Sequence, residues 1–360
     1  MGGQHWPQRC KVCGRQRIGD GERDVGPMSA VGAHCQAGQA SVSQALPQPP
    51  DSRSDVGRAK SPTNRAKATI HSSRAWLVPG GRSAKDGMVQ VAGASRRDLG
   101  QVFNEVPELY DRVRPTYPDE LFADLVAITG MDERSSLLEV GCGTGQATRS
   151  LAALACSVTA VEPGAGMAAL ARQRLAAFPN VDVEMSKFEE WNDRGRRFDV
   201  LVAASSWHWV DPSVGWRRAH DVLHPGGWMA LIGHVVVRRR GEPEVYAQTA
   251  DLHQRLSPGN PGWGHPPLEE EVRRTSEGWG LVTDPGRLFG PAIVRWYPAV
   301  QWFDAAGFAD LLRSQSLYRG LDNDVREPLL DAIAERIRTR MGNRAARRYL
   351  SVLRVGQRAE

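Results

Sequence analysis

The chain has 360 residues, 41% of them hydrophobic, and a formal net charge of +5. That length and apolar content suit one large domain or two smaller ones with a sizeable core. No apolar run is long enough to predict a membrane-spanning helix, and the opening residues MGGQHWPQRC lack the apolar segment of a secretory signal, so the cytoplasm is the expected compartment.

Charge is unevenly placed. Residues 1–100 hold 15 Lys and Arg against 7 Asp and Glu. The basic excess therefore belongs to the front of the chain and does not mark a nucleic-acid-binding face on the remainder. Residues 1–95 are rich in Gly, Ser, Gln, Arg and Pro, and the stretch QALPQPPDSRSD (44–55) has a disordered composition. We read 1–95 as a disordered basic segment; a functional tail and a start assigned too far upstream are the two alternatives. Cys10 and Cys13 form a C-x-x-C, and His34 and Cys35 would complete four zinc-capable side chains. The spacing matches no strong zinc pattern, so unpaired thiols in a reducing compartment are the simpler reading and no metal is expected.

Ordered structure is predicted from about residue 100. In VFNEVPELYDRVRPTYPDELF (102–122), Pro118 opens a helix whose first turn holds Asp119 and Glu120. Leu121, Phe122, Leu125 and Val126 follow at helical spacing. Next comes LLEVGCGTG (137–145), an apolar run, then Gly141, Gly143 and Gly145 at alternate positions, then a helix-compatible stretch from Gln146. Strand, glycine-rich turn and helix together form a site type that open α/β sheets use for nucleotide-like ligands. The dinucleotide fingerprint G-x-G-x-x-G fails, because Gln146 stands three residues after Gly143. This disfavours a nicotinamide oxidoreductase. Glu139, before the first glycine, is poorly placed beside a pyrophosphate and suits a ligand end with an ammonium group.

Val158, Ala160 and Val161 read as a second strand ended by Glu162, where a carboxylate can accept both hydroxyls of a ribose. A helix over 165–177 follows, made of good helix formers, then a third strand at 181–185. Val200 to Ala204 is a fourth, buried strand, and Ser205, Ser206, Trp207, His208, Trp209 and Val210 lie at its C-terminal end, where such sheets bind ligands. A helix over 216–223, a turn at HPGG (224–227) and a fifth strand over 228–237 complete this pattern. Residues 241–297 interrupt it, with a helix over 244–256 and a loop over 257–267. A long helix over 322–340 and a strand over 349–355 close the chain.

Several of these stretches resemble class I S-adenosylmethionine-dependent methyltransferases, in particular a small-molecule subgroup. Glu139 with the alternating glycines resembles the first motif. Tyr110, Asp111, Arg114, Pro115, Tyr117 and Pro118 resemble a Y-D-x-x-R-P-x-Y-P segment, Ser206 to Trp209 resembles S-x-H-W, and LHPGG resembles the approach to the fifth strand. The resemblance covers about 102–237 well and 292–357 weakly. It implies a Rossmann-like seven-stranded sheet with helices on both faces over about 100–360, its last strand antiparallel near the sheet edge, and 241–297 as an insertion on the substrate side. It also implies the cofactor S-adenosyl-L-methionine and a small-molecule methyl acceptor. Glu139 would hold the amino acid end, the glycines would approach the methionine part, and Glu162 would bind the ribose. Pro163, Met167, Phe188 and Ser205 would complete the cofactor site. Tyr110 is either a lid over it or a packed aromatic. Arg114 either reaches a carboxylate of cofactor or substrate or caps a helix. Trp207 and Trp209 are expected on the substrate, and His208 is either the general base or a structural imidazole. His234 and His253 are secondary base candidates, and Trp263, Trp279, Trp296 and Trp302 either line an apolar acceptor pocket or hold the insertion onto the core. Where many relatives carry an acid for the adenine amine, this chain has Ser186 and Lys187. A domain of this type that binds cofactor weakly and serves as a partner protein is the non-enzymatic rival.

If residues 1–95 stand apart from the site, deleting them leaves Tm and cofactor affinity unchanged. A loss of affinity beyond about tenfold in calorimetry would make the segment part of the site.

Overall fold

Parallel strands that are apolar on both faces must be covered on both sides, and the computed structural model builds that arrangement. It describes residues 102–154, 157–258, 266–274 and 287–360, all within one unit of the chain. Residues 1–95, with Cys10, Cys13, His34 and Cys35, lie outside the described residues, as do Trp263 and Trp279. Among the described residues, seven strands form a single sheet. They are β1 (Ser136–Val140), β2 (Ser157–Glu162), β3 (Val181–Met185), β4 (Phe198–Ala204), β5 (Leu223–Val237), β6 (Ile293–Phe303) and β7 (Ala345–Gln357), in the order β3-β2-β1-β4-β5-β7-β6. The first five are parallel; β7 runs antiparallel to both β5 and β6. Strand order reverses direction between β1 and β4, the switch point at which open sheets leave a crevice for ligands.

Register puts Leu138 of β1 between Thr159 of β2 and Leu201 of β4. One face of the sheet packs Leu137, Val200, Val202 and Ile232 against Leu121 and Leu125 of the helix Asp119–Thr129. The other packs Leu138, Leu201 and Leu231 against Trp207 and Trp216. A separate cluster joins the helices Val245–Leu256, Ala305–Arg313 and Asn323–Arg340 through Leu252, Phe308, Leu312, Leu330 and Ile333. Two of these helices are capped by carboxylates, Glu244 accepting from the Tyr246 and Ala247 amides and Asp304 from the Gly307 amide.

The motif Y-D-x-x-R-P-x-Y-P docks the leading segment onto this frame. Asp111 accepts from Thr144 Oγ1 at 3.0 Å and from Arg149 Nη2 at 2.8 Å, and pairs with Arg174 at 3.0 Å. Asn104 Oδ1 accepts from the Gly166 amide at 2.6 Å, using a donor left free at the start of the helix Ala165–Leu175.

Three boundaries differ from those read in the sequence. β5 begins at Leu223: Phe198 pairs with Leu223 but Val200 with Trp228, so HPGG forms an irregularity within the strand, with Gly226 at φ 77° supplying the left-handed residue. β6 begins at Ile293, inside the expected insertion; its alternation is obscured by Pro298, which an edge strand tolerates. β7 starts at Ala345, earlier than expected because the arginines of AARRY interrupt the apolar alternation, and it lies between β5 and β6. Arg239 and Arg240, expected as a solvated strand end, pair with Glu269 and Glu270 at 2.9 and 2.8 Å.

Leu201 is fully buried in the central strand β4. Leu201→Ala should destabilise by about 2–5 kcal/mol in urea unfolding with the m-value unchanged.

Candidate active site

The site begins at two carboxylates on adjacent strand ends. Glu139 is 1% exposed near the end of β1, and its Oε2 is buried with no hydrogen-bond partner. Burial pushes its carboxyl up to about 7, with the Glu162 charge adding to the shift and the Thr148 hydroxyl opposing it. Glu162 ends β2. Its Oε2 accepts from the Gly143 amide and its Oε1 from the Gly164 amide, both at 2.9 Å, yet burial still raises its pKa. Each oxygen of Glu162 keeps acceptor capacity beyond these two bonds.

Between the carboxylates runs the glycine turn. Gly141 and Gly143 are left-handed, at φ 70° and 61°, and each serves differently. A Cβ on Gly141 would lie 2.5 Å from Ser206 Cβ, so this glycine lets β1 and the loop after β4 approach. A Cβ on Gly143 would find nothing nearer than 3.7 Å, so its open side faces the cavity. Gly145 does not line the cavity; it begins the helix Gln146–Ala152 and passes closely over Leu175.

A cavity of about 780 Å³ opens above these strand ends. It is lined by Tyr110, Arg114, Glu139, Gly141 and Gly143, by Glu162, Pro163, Met167 and Phe188, and by Ser205, Trp207, His208 and Trp209. The residues read from the sequence as the cofactor and acceptor site, apart from Gly145, therefore line one cavity. Ser205 is left-handed at φ 55°, unusual for a residue with a side chain, and Tyr117 OH lies 2.9 Å from its Oγ. The Ser206 hydroxyl donates to the Val140 carbonyl, tying the loop to β1. Trp207 is buried against Trp216, whereas His208 is half-buried, its ring 4.4 Å from that of Trp209. Trp209 in turn meets Phe103, and Phe103 meets Tyr110, so aromatic rings connect the loop after β4 to the leading segment. Lys187 lines the cavity but pairs with Glu190 at 3.2 Å on the surface.

The side of the cavity toward β5 and β7 contains residues that the sequence did not single out. Arg347 and Tyr349 project from β7, Tyr246 from the helix Val245–Leu256, and Gln315 follows the helix Ala305–Arg313. The signal for the first two was their i, i+2 spacing on one strand face, concealed because the strand was read as starting only at Tyr349. His234 stacks on Tyr117 at 4.5 Å, and its Nδ1 lies 2.9 Å from Ser351 Oγ. Burial, then the charges of Arg347 and Arg114, lower its pKa to about 3, which makes it a neutral and poor base. His253 is structural, with its ring nitrogens at 2.7 Å from Tyr318 OH and 3.0 Å from the Thr249 carbonyl. Trp296 packs against the Val235, Val237, Val272 and Leu350 cluster, and Trp302 is exposed under Arg344; neither lines the cavity.

Residues 137–227 match a family model described as a methyltransferase domain. An uncharacterized methyltransferase of Mycobacterium tuberculosis strain H37Rv is 32% identical over 147 residues, which cover 41% of this chain and 58% of that protein. The ubiquinone biosynthesis O-methyltransferase of Azorhizobium caulinodans is 32% identical over 116 residues, 30% of this chain and 46% of that one. The chain thus spans about half the length of the curated relatives it matches. The solved structure of a candidate type II methyltransferase from Anaeromyxobacter dehalogenans superposes with a TM-score of 0.51 at 26% identity, covering 68% of this chain and 97% of that one. No helix among the described residues is long and apolar enough to cross a membrane, and no cluster among them could hold a metal ion.

The raised pKa of Glu139 has a measurable sign. Between about 4.5 and about 7 the folded chain keeps a proton that the unfolded chain releases, so stability falls as pH rises through that window and levels off above it. Glu139→Gln cannot release this proton. The parent should therefore lose stability relative to the variant by about 3 kcal/mol across that window, measured by urea unfolding at each pH. A flat difference would contradict the buried carboxylate.

Proposed function

We propose that this chain is a class I S-adenosylmethionine-dependent methyltransferase and that it transfers a methyl group from S-adenosyl-L-methionine to a small-molecule acceptor. The observation that carries this reading is the buried, unpartnered oxygen of Glu139 beside the open glycine turn, with Glu162 one strand away. These residues fit the cofactor. Glu139 would hold its ammonium, Gly143, with Gly141 lining the cavity beside it, would let the methionine part approach the backbone, and Glu162 would take the ribose hydroxyls. Pro163, Met167 and Phe188 supply apolar surface to the adenine, Ser205 lies at the methionine side, and Tyr110 closes over the top. When bound, the cofactor supplies a methyl group on a sulfonium; an acceptor lone pair forms the new bond to carbon as the carbon–sulfur bond breaks and its electrons pass to sulfur.

The chain must align acceptor and donor and exclude water. Trp207 and Trp209 wall the acceptor's approach, and His208 between them takes its proton where the acceptor has one to lose. The protein would work in the cytoplasm, a reading supported by the free buried thiol of Cys142, which burial keeps protonated.

Calorimetry on Glu162→Gln tests the cofactor site. Charged hydrogen bonds contribute about 1.5–3 kcal/mol each, so affinity for S-adenosylmethionine and S-adenosylhomocysteine should fall together by roughly 10- to 100-fold. Parental affinity for both would remove Glu162 from the ribose. His208→Ala should lower turnover by about 10²–10⁴-fold on an acceptor that must lose a proton, with cofactor affinity held. His208→Asn should behave like Ala; recovery with Asn would mean that His208 orients the acceptor, and loss of cofactor binding in both would move it off the acceptor.

A further inference from the structure

The cavity is electrically divided. Glu139 and Glu162 stand at the ends of β1 and β2, whereas Arg114 and Arg347 line the side toward β5 and β7. We propose that the methyl acceptor carries a carboxylate and that Arg114 and Arg347 hold it on the β5–β7 side of the cavity. This rests on the methyl-transfer reading of the same site.

Four observations converge. Arg347 is 7% exposed and lines the cavity, with the rings of Tyr349 and Tyr246 at 5.1 and 5.9 Å from its guanidinium carbon. Arg114 donates through Nη2 to the Ser314 carbonyl at 2.9 Å and lies over the Tyr110 ring at 4.7 Å, but its Nε is buried with no hydrogen-bond partner. Gln315, next in sequence to Ser314, is 5% exposed, and neither its amide nitrogen nor its amide oxygen has a partner. His234 Nε2 is likewise buried without one. Arg114 Nε and the Gln315 amide nitrogen are thus unused donors on the cavity wall, and such donors await a ligand that accepts hydrogen bonds.

Charge specifies that ligand further. Burial and then the Arg347 charge disfavour the charge on Arg114, and no carboxylate is among the groups acting on it. Burial raises the pKa of Tyr117, Tyr246 and Tyr349, so these hydroxyls stay protonated and offer no negative charge. Both arginine charges also reach His234 and help keep it neutral. Two like charges held near each other out of water are costly until an anion joins them. A carboxylate meets guanidinium groups through paired N–H bonds, and the phenyl phosphate arm of the titration below separates it from a phosphate ester. The surrounding Val236, Leu317 and tyrosine rings would take the acceptor's carbon skeleton.

The test titrates the full chain, with and without S-adenosylhomocysteine, using phenylacetate, hexanoate, their amides and phenyl phosphate, by calorimetry. At least one acid should bind about tenfold more tightly than its amide. In Arg347→Gln that preference should vanish while S-adenosylhomocysteine binds as in the parent. Should that variant not fold, Arg347→Lys keeps the charge without the paired geometry and should cut the preference several-fold. Equal binding of acid and amide, no binding of either, or a preference for phenyl phosphate over both acids would each overturn the proposal. Failure of S-adenosylhomocysteine to bind would instead overturn the cofactor reading, and the acid preference of the cofactor-free chain would still decide this one.

Discussion

Two carboxylates buried side by side at the ends of β1 and β2 are the constraint around which the rest of the structure is arranged. Each is raised in pKa by burial, and the charge of Glu162 adds to the cost of ionising Glu139. A fold keeps such a pair only where surrounding donors or a ligand compensate. Glu162 is compensated within the chain by the Gly143 and Gly164 amides. Glu139 is compensated only in part, and its unpartnered oxygen opens toward the cavity region where a cation would be attracted. The glycine turn follows from this arrangement. A backbone bearing side chains at positions 141 and 143 would neither let the loop after β4 close on β1 nor leave the space beside Glu162 open.

The leading segment is held by its own charges. Asp111 draws together Thr144, Arg149 and Arg174 from two different helical regions, and Asn104 caps the helix that follows β2. Arg114 and Tyr117 are thereby carried to the cavity from a segment outside the sheet. Tyr117 then bonds Ser205 and stacks on His234, linking the strand ends of β4 and β5. The same nine-residue motif anchors the segment through one residue and shapes the cavity through others.

An uneven distribution of charge along the cavity follows from the sheet order. β1 and β2 lie on one side of the switch point and bring the carboxylates; β5 and β7 lie on the other and bring His234, Arg347 and Tyr349. A positively charged donor group and an anionic acceptor would be drawn to opposite ends and meet near the loop after β4, where His208 and the two tryptophans stand.

The amino-acid sequence by itself determined the parallel half of the sheet, the glycine turn and the two carboxylates beside it. These are set by short-range chemistry: apolar runs too short for helices, glycines at alternate positions, and a carboxylate at each strand end. Glu139 and Glu162 are legible because each directly follows its own strand's apolar residues. The side of the cavity toward β5 and β7 was not legible for the opposite reason. Arg347 and Tyr349 reach the site only because β7 inserts between β5 and β6, and its pairing with β5 spans more than a hundred residues of chain. Gln315 reads as an ordinary loop residue until Arg114, 200 positions from Ser314, docks beside it. Of the tryptophans read as a pocket wall or a hold on the core, Trp296 and Trp302 fall on the edge strand away from the cavity and Trp263 and Trp279 lie outside the described residues, while Tyr246 and Tyr349 line the side toward β5 and β7. Local patterns encode which residues end a strand; which strands lie side by side is decided by the burial of whole faces, and that alone brought the two arginines to one wall.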